Sequence, residues 1–341
     1  MKLMQVIVLC PVKNEAWILE RFLATASCFA DHILIADQQS SDTSRAICSQ
    51  YPKVTLIENT SSVFNEPERQ KLLIEKAREI PGSKLLLALD ADEILTANIL
   101  ADLPEWNTVM SSPPGTVIEF ERIMLWKSPL YYNTLYNKDG IGEWFAVGYV
   151  DDGAKHHGQI IHSPRVPIGI HSPRLRLHQI KIMHYQFCDW ERALSKHRFY
   201  RCFERAINPR RSPTEIHRLY DIHPVEIRHL CPSRVEWFRG WEERGIDVTT
   251  IIQDVNYWWD WEVLKYIADN GVQLFRNEDI WSVDWETKRQ AGLTAGREGL
   301  PVQPVKDPRN KIGRILMKIR RRTQHTKYQS AADFFLRIIR Q

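Results

Sequence analysis

Over the first 125 residues, short apolar runs alternate with segments of helical period, and this alternation limits the possible folds more than any other feature. QVIVL (5–9), HILIAD (32–37), VTLIE (54–58), KLLLALD (84–90) and TVIEFER (116–122) have the length and composition of buried strands. Between them, Trp17, Phe22, Leu23 and Ala26 recur at near-helical spacing, and Ser41 or Asp42 opens a second helix as its N-cap. NEPERQKLLIEKAREI (65–80) predicts a third helix, with Pro67 in its first turn and Leu72, Leu73, Ala77 and Ile80 facing the core. Short connections between alternating strands and helices predict an α/β fold, a mostly parallel sheet covered by helices. Ligands of such sheets bind at the carboxyl ends of the strands. Pro11, Asp37 and Asp90 all stand at such ends, so these three loops are expected to build the site.

After residue 125 the periodicity weakens. Residues 127–182 are rich in Gly, Pro, His and Tyr and read as loops with short strands, and DWERALSKHRFYRCFERAI (189–207) as a helix with a basic face. Seven of the twelve tryptophans lie between 237 and 285, which suggests a small helical subdomain. The expected organisation is a main domain over 1–235, a Trp-rich helical subdomain over 236–290, a Gly/Pro linker over 291–310 and a basic amphipathic tail over 311–341.

The chain has 341 residues, 43% hydrophobic and 26% charged, as in ordinary globular proteins. Six scattered cysteines without a CxxC pair exclude a zinc ribbon and a disulfide scaffold, and suit a reducing compartment. The N-terminal apolar run is broken by Pro11, Lys13 and Glu15 and reads as a strand rather than a signal peptide. Without a run of about 18 apolar residues, a cytoplasmic location is expected. From Lys306 onward eleven Lys and Arg face two Asp, a net of +9; the whole chain carries +4, so the 305 residues before it carry −5. In the tail, Ile312, Ile315, Leu316 and Ile319 line one helix face, with Arg320, Arg321 and Arg322 nearby. This pattern suits peripheral attachment to an anionic membrane surface on its inner face; a disordered basic tail or a nucleic-acid contact is the alternative.

LLLALDADEIL (85–95) crowds Asp90, Asp92 and Glu93 directly after an apolar strand. Like charges this close cost stability unless something positive neutralises them, and a divalent cation is the usual answer. The backbone cradles GxGxxG and GxxxxGK[ST] are absent, which removes the dinucleotide and P-loop readings. The order CPVKNEAWILERFL, HILIADQQSSDTS, NEPERQKLL, LLLALDADEIL resembles the family 2 glycosyltransferases, of GT-A fold, over residues 5–125 and faintly to about Tyr200. The resemblance implies a GT-A type Rossmann-like sheet with a helical C-terminal extension. It implies inverting transfer of a sugar from a nucleoside diphosphate, UDP in particular, to a glycan or lipid-linked acceptor, with Mn²⁺ or Mg²⁺ as cofactor.

By that resemblance Pro11, Asn14 and Glu15 meet the nucleotide, Asp37 accepts from the base, and Arg69 lies near the nucleotide, with Gln70 where Asn is usual. Asp90 suits the ribose and Asp92 the metal. Each residue has a plainer reading: a solvated loop for the Asp-x-Asp pair, a helix cap for Asp37, an ion pair with Glu66 for Arg69. Ten of the twelve histidines lie between His156 and His229 without a compact ligand spacing. His184 ends an apolar strand where related enzymes place a third metal ligand, and a ligand and a structural role are equally open to it. Some relatives carry an acid where this chain has Ser163, so the general base is sought in Asp151 and Asp152, Asp152 favoured because of Gly153, with Glu143 next; an Asp-Gly turn is the alternative. The rival functions are a nucleotide-sugar binding protein without transfer and a sugar nucleotidyltransferase, which would need a Gly-rich first loop.

Overall fold

Strands β1 (Gln5–Val12), β2 (His32–Asp37), β3 (Val54–Glu58) and β4 (Lys84–Ala88) pair in parallel in the order β3-β2-β1-β4. The computed structural model describes residues 4–61, 65–136, 143–160, 163–222, 229–253, 257–324 and 326–338. Along β1, Val6, Val8, Cys10 and Val12 face one core and Ile7 and Leu9 the other, so both sides of the sheet are covered. Helix α1 (Leu19–Ala26) packs Leu19, Phe22, Leu23 and Ala26 into the first core, and α3 (Glu66–Arg78) packs Leu73, Ile74 and Ala77 into the second. The Asn65 side chain caps α3 by accepting from the Glu68 N–H at 3.3 Å. The second helix, α2 (Ser44–Cys48), has Thr43 at its N-cap rather than Ser41 or Asp42, without a side-chain cap bond, while Asp42 one residue earlier accepts from the Ser44 N–H at 2.9 Å.

Beyond β4 the chain makes β5 (Glu93–Leu95), α4 (Pro104–Met110), β6 (Val117–Trp126), β7 (Tyr131–Asn133), β8 (Glu143–Val150) and β9 (Arg174–Phe187). β8 lies between β4 and β6, antiparallel to both, so β6 points the same way as β4. The squeeze falls on Gly148, where a Cβ would lie 2.6 Å from the Ile118 Cβ. β9 pairs in parallel with β6 and antiparallel with β5. The expected loops over 127–182 therefore contain two long strands. Their alternation is hidden because β9 bulges: Phe120 faces Leu177 while Glu121 faces Lys181. The N–H groups of His178, Gln179 and Ile180 freed by the bulge donate to the Glu105 carboxylate at 2.8–2.9 Å.

The division into units runs elsewhere than at the expected boundaries of 235, 290 and 310. One unit is Met1–Asp189 with Val225–Gln253; the other is Trp190–Pro224 with Asp254–Gln341. Trp237 and Trp241 belong to the first core, where the Trp241 indole donates to the Leu95 carbonyl at 3.0 Å. β10 (Leu230–Pro232) pairs with β7, and α7 (Arg239–Glu242) follows it.

The second unit is helical: α5 (Trp190–Ile207), α6 (Pro213–Tyr220), α8 (Trp258–Asn270), α9 (Trp285–Thr294), α10 (Lys311–Thr323) and α11 (Gln329–Ile338). The basic face of α5 is not solvated. Arg192, Arg198, Arg201 and Arg205 are all buried, and Arg198 donates to Asp260, Arg205 to Glu278, and Arg201 to the Asp279 carbonyl. The tail is likewise folded in. Arg320 is buried with its guanidinium on the Asn277 carbonyl, Arg321 pairs with Asp279, and Leu316 and Met317 are buried while Ile312 and Ile315 are exposed. No helix among the described residues is long and apolar enough to cross a membrane.

Two buried histidines in this unit make its stability depend on pH. Desolvation, only partly offset by the hydrogen bond to the Tyr220 carbonyl, pushes His197 down to about 3; desolvation likewise pushes His217 down to about 4. The unfolded chain takes up both protons near pH 6.5 while the folded one does not, so stability is full above that pH and falls below it, down to about 4 through His217 and to about 3 through His197. Histidine NMR should show both rings neutral at pH 5; titration near 6.5 in the native protein would refute the assignment.

Candidate active site

The carboxyl edge of β1, β2 and β4 is built from the loops that follow them. Val12 pairs with Asp37, and the Leu89 N–H donates to the Leu9 carbonyl, so Asn14, Asp37 and Asp90 leave the sheet on the same side. Two strand spacings separate the β2 and β4 ends, roughly 10 Å. Asn14 adopts the left-handed conformation, φ 56°, which Asn tolerates better than most residues. Its side-chain oxygen accepts from the N–H groups of Ser41 at 2.7 Å and Asp42 at 3.3 Å, and its own N–H donates to the Ser40 hydroxyl. Asn14 thus ties the first loop to the second. Glu15 donates its N–H to Ser44 Oγ and accepts from the Trp17 indole at 2.7 Å. Pro11 is buried within β1. Asp37 is 1% exposed; its carboxylate accepts from Arg45 at 3.0 Å and from the Ser40 N–H. Arg69 stands half-buried on the first turn of α3, and Gln70 behind it is buried, with no partner for its side-chain carbonyl among the described residues.

The acidic cluster has a counter-ion that sequence reasoning missed. Arg165 donates one Nη to Glu93 and the other to Asp90 at 2.5 Å and Glu93 at 3.2 Å. Its guanidinium lies 4.7 Å from the Phe145 ring centroid, with Arg122 at 4.3 Å from the same ring and 3.9 Å from Glu93. Desolvation alone would lower the Arg165 pKa, but the charges of Asp90 and Glu93 outweigh it and hold the group fully protonated. Glu93 is wholly buried, while the Asp90 side chain is 37% exposed. Three carboxylates against two guanidiniums leave one net negative charge. Around this cluster, burial first and the charge of Asp90 second push the Cys10 thiol up, so it stays protonated and is no nucleophile.

Asp92 and His184 meet because β5 pairs with β9: Glu93 faces His184, and the Tyr185 N–H donates to the Asp92 carbonyl at 2.8 Å. His184 Nε2 lies 3.6 Å from Asp92 Oδ1, with both side chains nearly buried. His184 Nδ1 has no hydrogen-bond partner among the described residues. A buried imidazole facing a carboxylate on one side and lacking a partner on the other suits a metal or water ligand, since buried polar atoms are normally satisfied. Two ligand atoms of one divalent cation stand about 3 Å apart, so the donor set fits. Asp92 and His184 supply two ligands; among the described residues a close set of three is His217, Asp221 and Asp279 in the second unit, where Arg201 and Arg321 already neutralise the carboxylates.

Asp151 and Asp152 are not part of this site. β8 runs antiparallel to β4, so its end returns to the start of β4, where the Asp151 N–H donates to the Lys84 carbonyl at 3.0 Å. Six residues of strand separate Lys84 from Asp90, about 20 Å. Asp151 is held by a two-pronged bond from Arg78, and Asp152 accepts from the Tyr149 hydroxyl and the Ala154 N–H. The hydrogen bond from Tyr149 is the main reason Asp152 lies below the usual carboxylate range, the opposite of what a general base needs. Glu143, by contrast, stands opposite Arg122 in the backbone register of β6 and β8, at the β8 end nearest the acidic cluster. Ser163 donates its N–H to Glu66, which fastens the segment bearing Arg165 to the start of α3. We expect Asp151→Asn and Asp152→Asn to leave nucleotide-dependent activity within about twofold, with Asp151→Asn losing stability because Arg78 loses its partner. A loss of about 10²-fold or more in either would restore the base role.

No family model matches the chain, and no curated protein matches it. Among solved structures it resembles the glucosyl-3-phosphoglycerate synthase from Mycobacterium tuberculosis in complex with Mn²⁺, UDP and glucosyl-3-phosphoglycerate, at 13% identity and TM-score 0.26, over 36% of this chain and 44% of that one. The mannosyl-3-phosphoglycerate synthase from Rubrobacter xylanophilus matches at 16% identity and TM-score 0.26, over 36% and 41%. A nucleotidyl transferase from Methanothermobacter thermautotroptrophicus matches at 11% and 0.27, over 44% and 72%. The chain thus spans less than half the length of the first two, and these partial likenesses do not bear on its activity.

Proposed function

We propose that this chain is a GT-A type, inverting glycosyltransferase that moves a sugar from a nucleoside diphosphate, UDP in particular, to a hydroxyl of a glycan or lipid-linked acceptor. The observation that carries this reading is the meeting of Asp92 and His184, 3.6 Å apart, beside Asp90 at the carboxyl edge of the parallel strands. Asp92 and His184 would hold Mn²⁺ or Mg²⁺. When bound, such a cation neutralises the charge of a leaving diphosphate. Asp37, fixed by Arg45 and Ser40, would accept from the base, and Asn14 ties the first loop to the second beside it. Asp90, the more exposed carboxylate, would bind the ribose. The acceptor's proton must be taken at this same edge, which leaves Glu143 as the candidate base; Glu143→Gln should cut transfer by about 10²-fold while nucleotide binding persists. Thermal shift across a panel of nucleotide sugars, with and without Mn²⁺, tests the whole reading. Metal-dependent stabilisation by one donor together with release of its nucleoside diphosphate is expected. Stabilisation without release would favour the binding-protein rival, and no stabilisation by any donor would reject both.

The second unit supports peripheral attachment to an anionic membrane. On α11, Phe334, Phe335 and Ile338 follow the helical repeat and are 69%, 49% and 65% exposed. On α10, Ile312 and Ile315 are 65% and 56% exposed, among the exposed cations Lys311, Arg314, Lys318 and Arg322. An apolar stripe bordered by cations matches an anionic lipid surface, where each basic residue adds about 1 kcal/mol. Full-length protein should sediment with phosphatidylglycerol vesicles, and Phe334→Glu combined with Ile338→Glu should release it. Equal sedimentation of both proteins would remove this partner.

A further inference from the structure

We propose that Arg165 is an exchangeable counter-ion: it holds the acidic cluster together without donor and turns one arm to the donor's diphosphate when donor binds. The inference rests on the donor reading above and adds a residue that no sequence motif marks. The two arms of Arg165 differ in environment. One Nη is committed to Glu93, which is wholly buried, and lies 3.4 Å from the Ala88 carbonyl, while the guanidinium plane rests near the Phe145 ring. Breaking that arm would leave a buried charge unpaired, which is costly. The other Nη makes its shorter bond, 2.5 Å, to Asp90, whose side chain is 37% exposed, and a longer one, 3.2 Å, to Glu93. Of the two carboxylates Asp90 alone can be rehydrated, and this Nη keeps its contact to Glu93, so turning it from Asp90 costs less than breaking the other arm.

The position of this arm gives it a purpose. Asp90 precedes Asp92 by two residues, so a cation shared by Asp92 and His184 would bring phosphate oxygens beside the Nη that bonds Asp90. A guanidinium anchored at one end presents its free N–H pair in a fixed plane, which suits phosphate oxygens better than a flexible ammonium does. With no donor present, the same positive charge repels a lone metal ion. Arg165 is therefore a positioning residue that opposes metal binding alone and favours metal with nucleotide.

These opposite signs separate the proposal from a merely structural role. In titration calorimetry, Arg165→Gln should bind Mn²⁺ alone about tenfold more tightly, because one nearby unit of positive charge is gone. It should bind UDP in the presence of Mn²⁺ about 10–100-fold more weakly, the worth of a charged hydrogen bond. Arg165→Lys should restore the metal affinity but only part of the UDP affinity. If Arg165→Gln does not fold, Asp90→Asn provides the second arm of the test. It should strengthen binding of pyrophosphate without metal, and the gain should disappear in the Asp90→Asn, Arg165→Lys double variant. Parallel loss of Mn²⁺ and UDP binding in Arg165→Gln, or a pyrophosphate gain that survives the double variant, would overturn the proposal. Wild-type protein that binds neither Mn²⁺ nor UDP would instead sink the donor reading on which it stands.

Discussion

Asp92→Asn is expected to abolish Mn²⁺-dependent nucleotide-sugar binding while the protein stays folded. The substitution keeps the shape of the side chain and its backbone bond to Tyr185, but it removes the ionised oxygen beside His184. A neutral amide is a poor ligand for a hard cation, and loss of one protein ligand from a set of two leaves too little to hold the metal against water. Transfer should fall by about 10²–10³-fold or more, the scale of losing a main electrostatic contact to a transition state. Stability should hold or rise slightly, since Asp92 sits within a cluster that carries one net negative charge. His184→Ala should repeat the loss of metal dependence. A variant that keeps both its Mn²⁺-dependent thermal shift and wild-type turnover would show that these two side chains are not the metal's ligands.

The parts of the site legible in the sequence are those carried by parallel strands followed by short loops. QVIVL, HILIAD and KLLLALD each announce where a strand stops, and a parallel sheet puts all those stops on one edge, so Asp37, Asp90 and Asp92 could be placed together. His184 was legible as the end of an apolar run, but its partner could not be read, because the register of β5 on β9 depends on a bulge that breaks the alternation of 174–187. Strand direction was the main failure. An aspartate after an apolar run looks the same whether its strand is parallel or antiparallel, and Asp151 and Asp152 follow an antiparallel one, which returns them to the opposite edge. Arginines were the second failure. Arg165 lies more than seventy residues from its partners, between two prolines in a segment without period, and nothing local separates it from the other 45 Lys and Arg. The one usable signal was the excess of acid at 90–93, which requires positive charge from somewhere. Nor does the basic face read on α5, or the arginines of the tail, announce that buried Asp260 and Glu278 receive Arg198 and Arg205 and the Asn277 carbonyl receives Arg320.

Glu93→Ala should destabilise the first unit by about 3–5 kcal/mol, the usual cost of removing one partner from a buried charge pair. Glu93 is fully buried, and its carboxylate receives both arms of Arg165 and the Asp90 N–H at 3.2 Å, with Arg122 3.9 Å away. Truncation would leave two guanidiniums near one ring with only Asp90 bonded directly to Arg165, and it would free the N–H that fixes the start of the Asp-x-Asp turn. For a unit of this size the loss corresponds to a fall of about 10 °C in melting temperature. Glu93→Gln should cost less, because the amide oxygen still accepts from the Asp90 N–H. Adding Arg165→Met to Glu93→Ala should recover part of the loss, because the unpaired charge goes and an apolar chain fills its place near Phe145. Asp92 remains in the double variant, so its residual Mn²⁺ binding separates the two jobs proposed for the acidic run: Glu93 for the fold, Asp92 for the metal. If Glu93→Ala melted within about 2 °C of wild type, Arg165 would have found another partner, and the buried half of the cluster would not be the anchor that its burial implies.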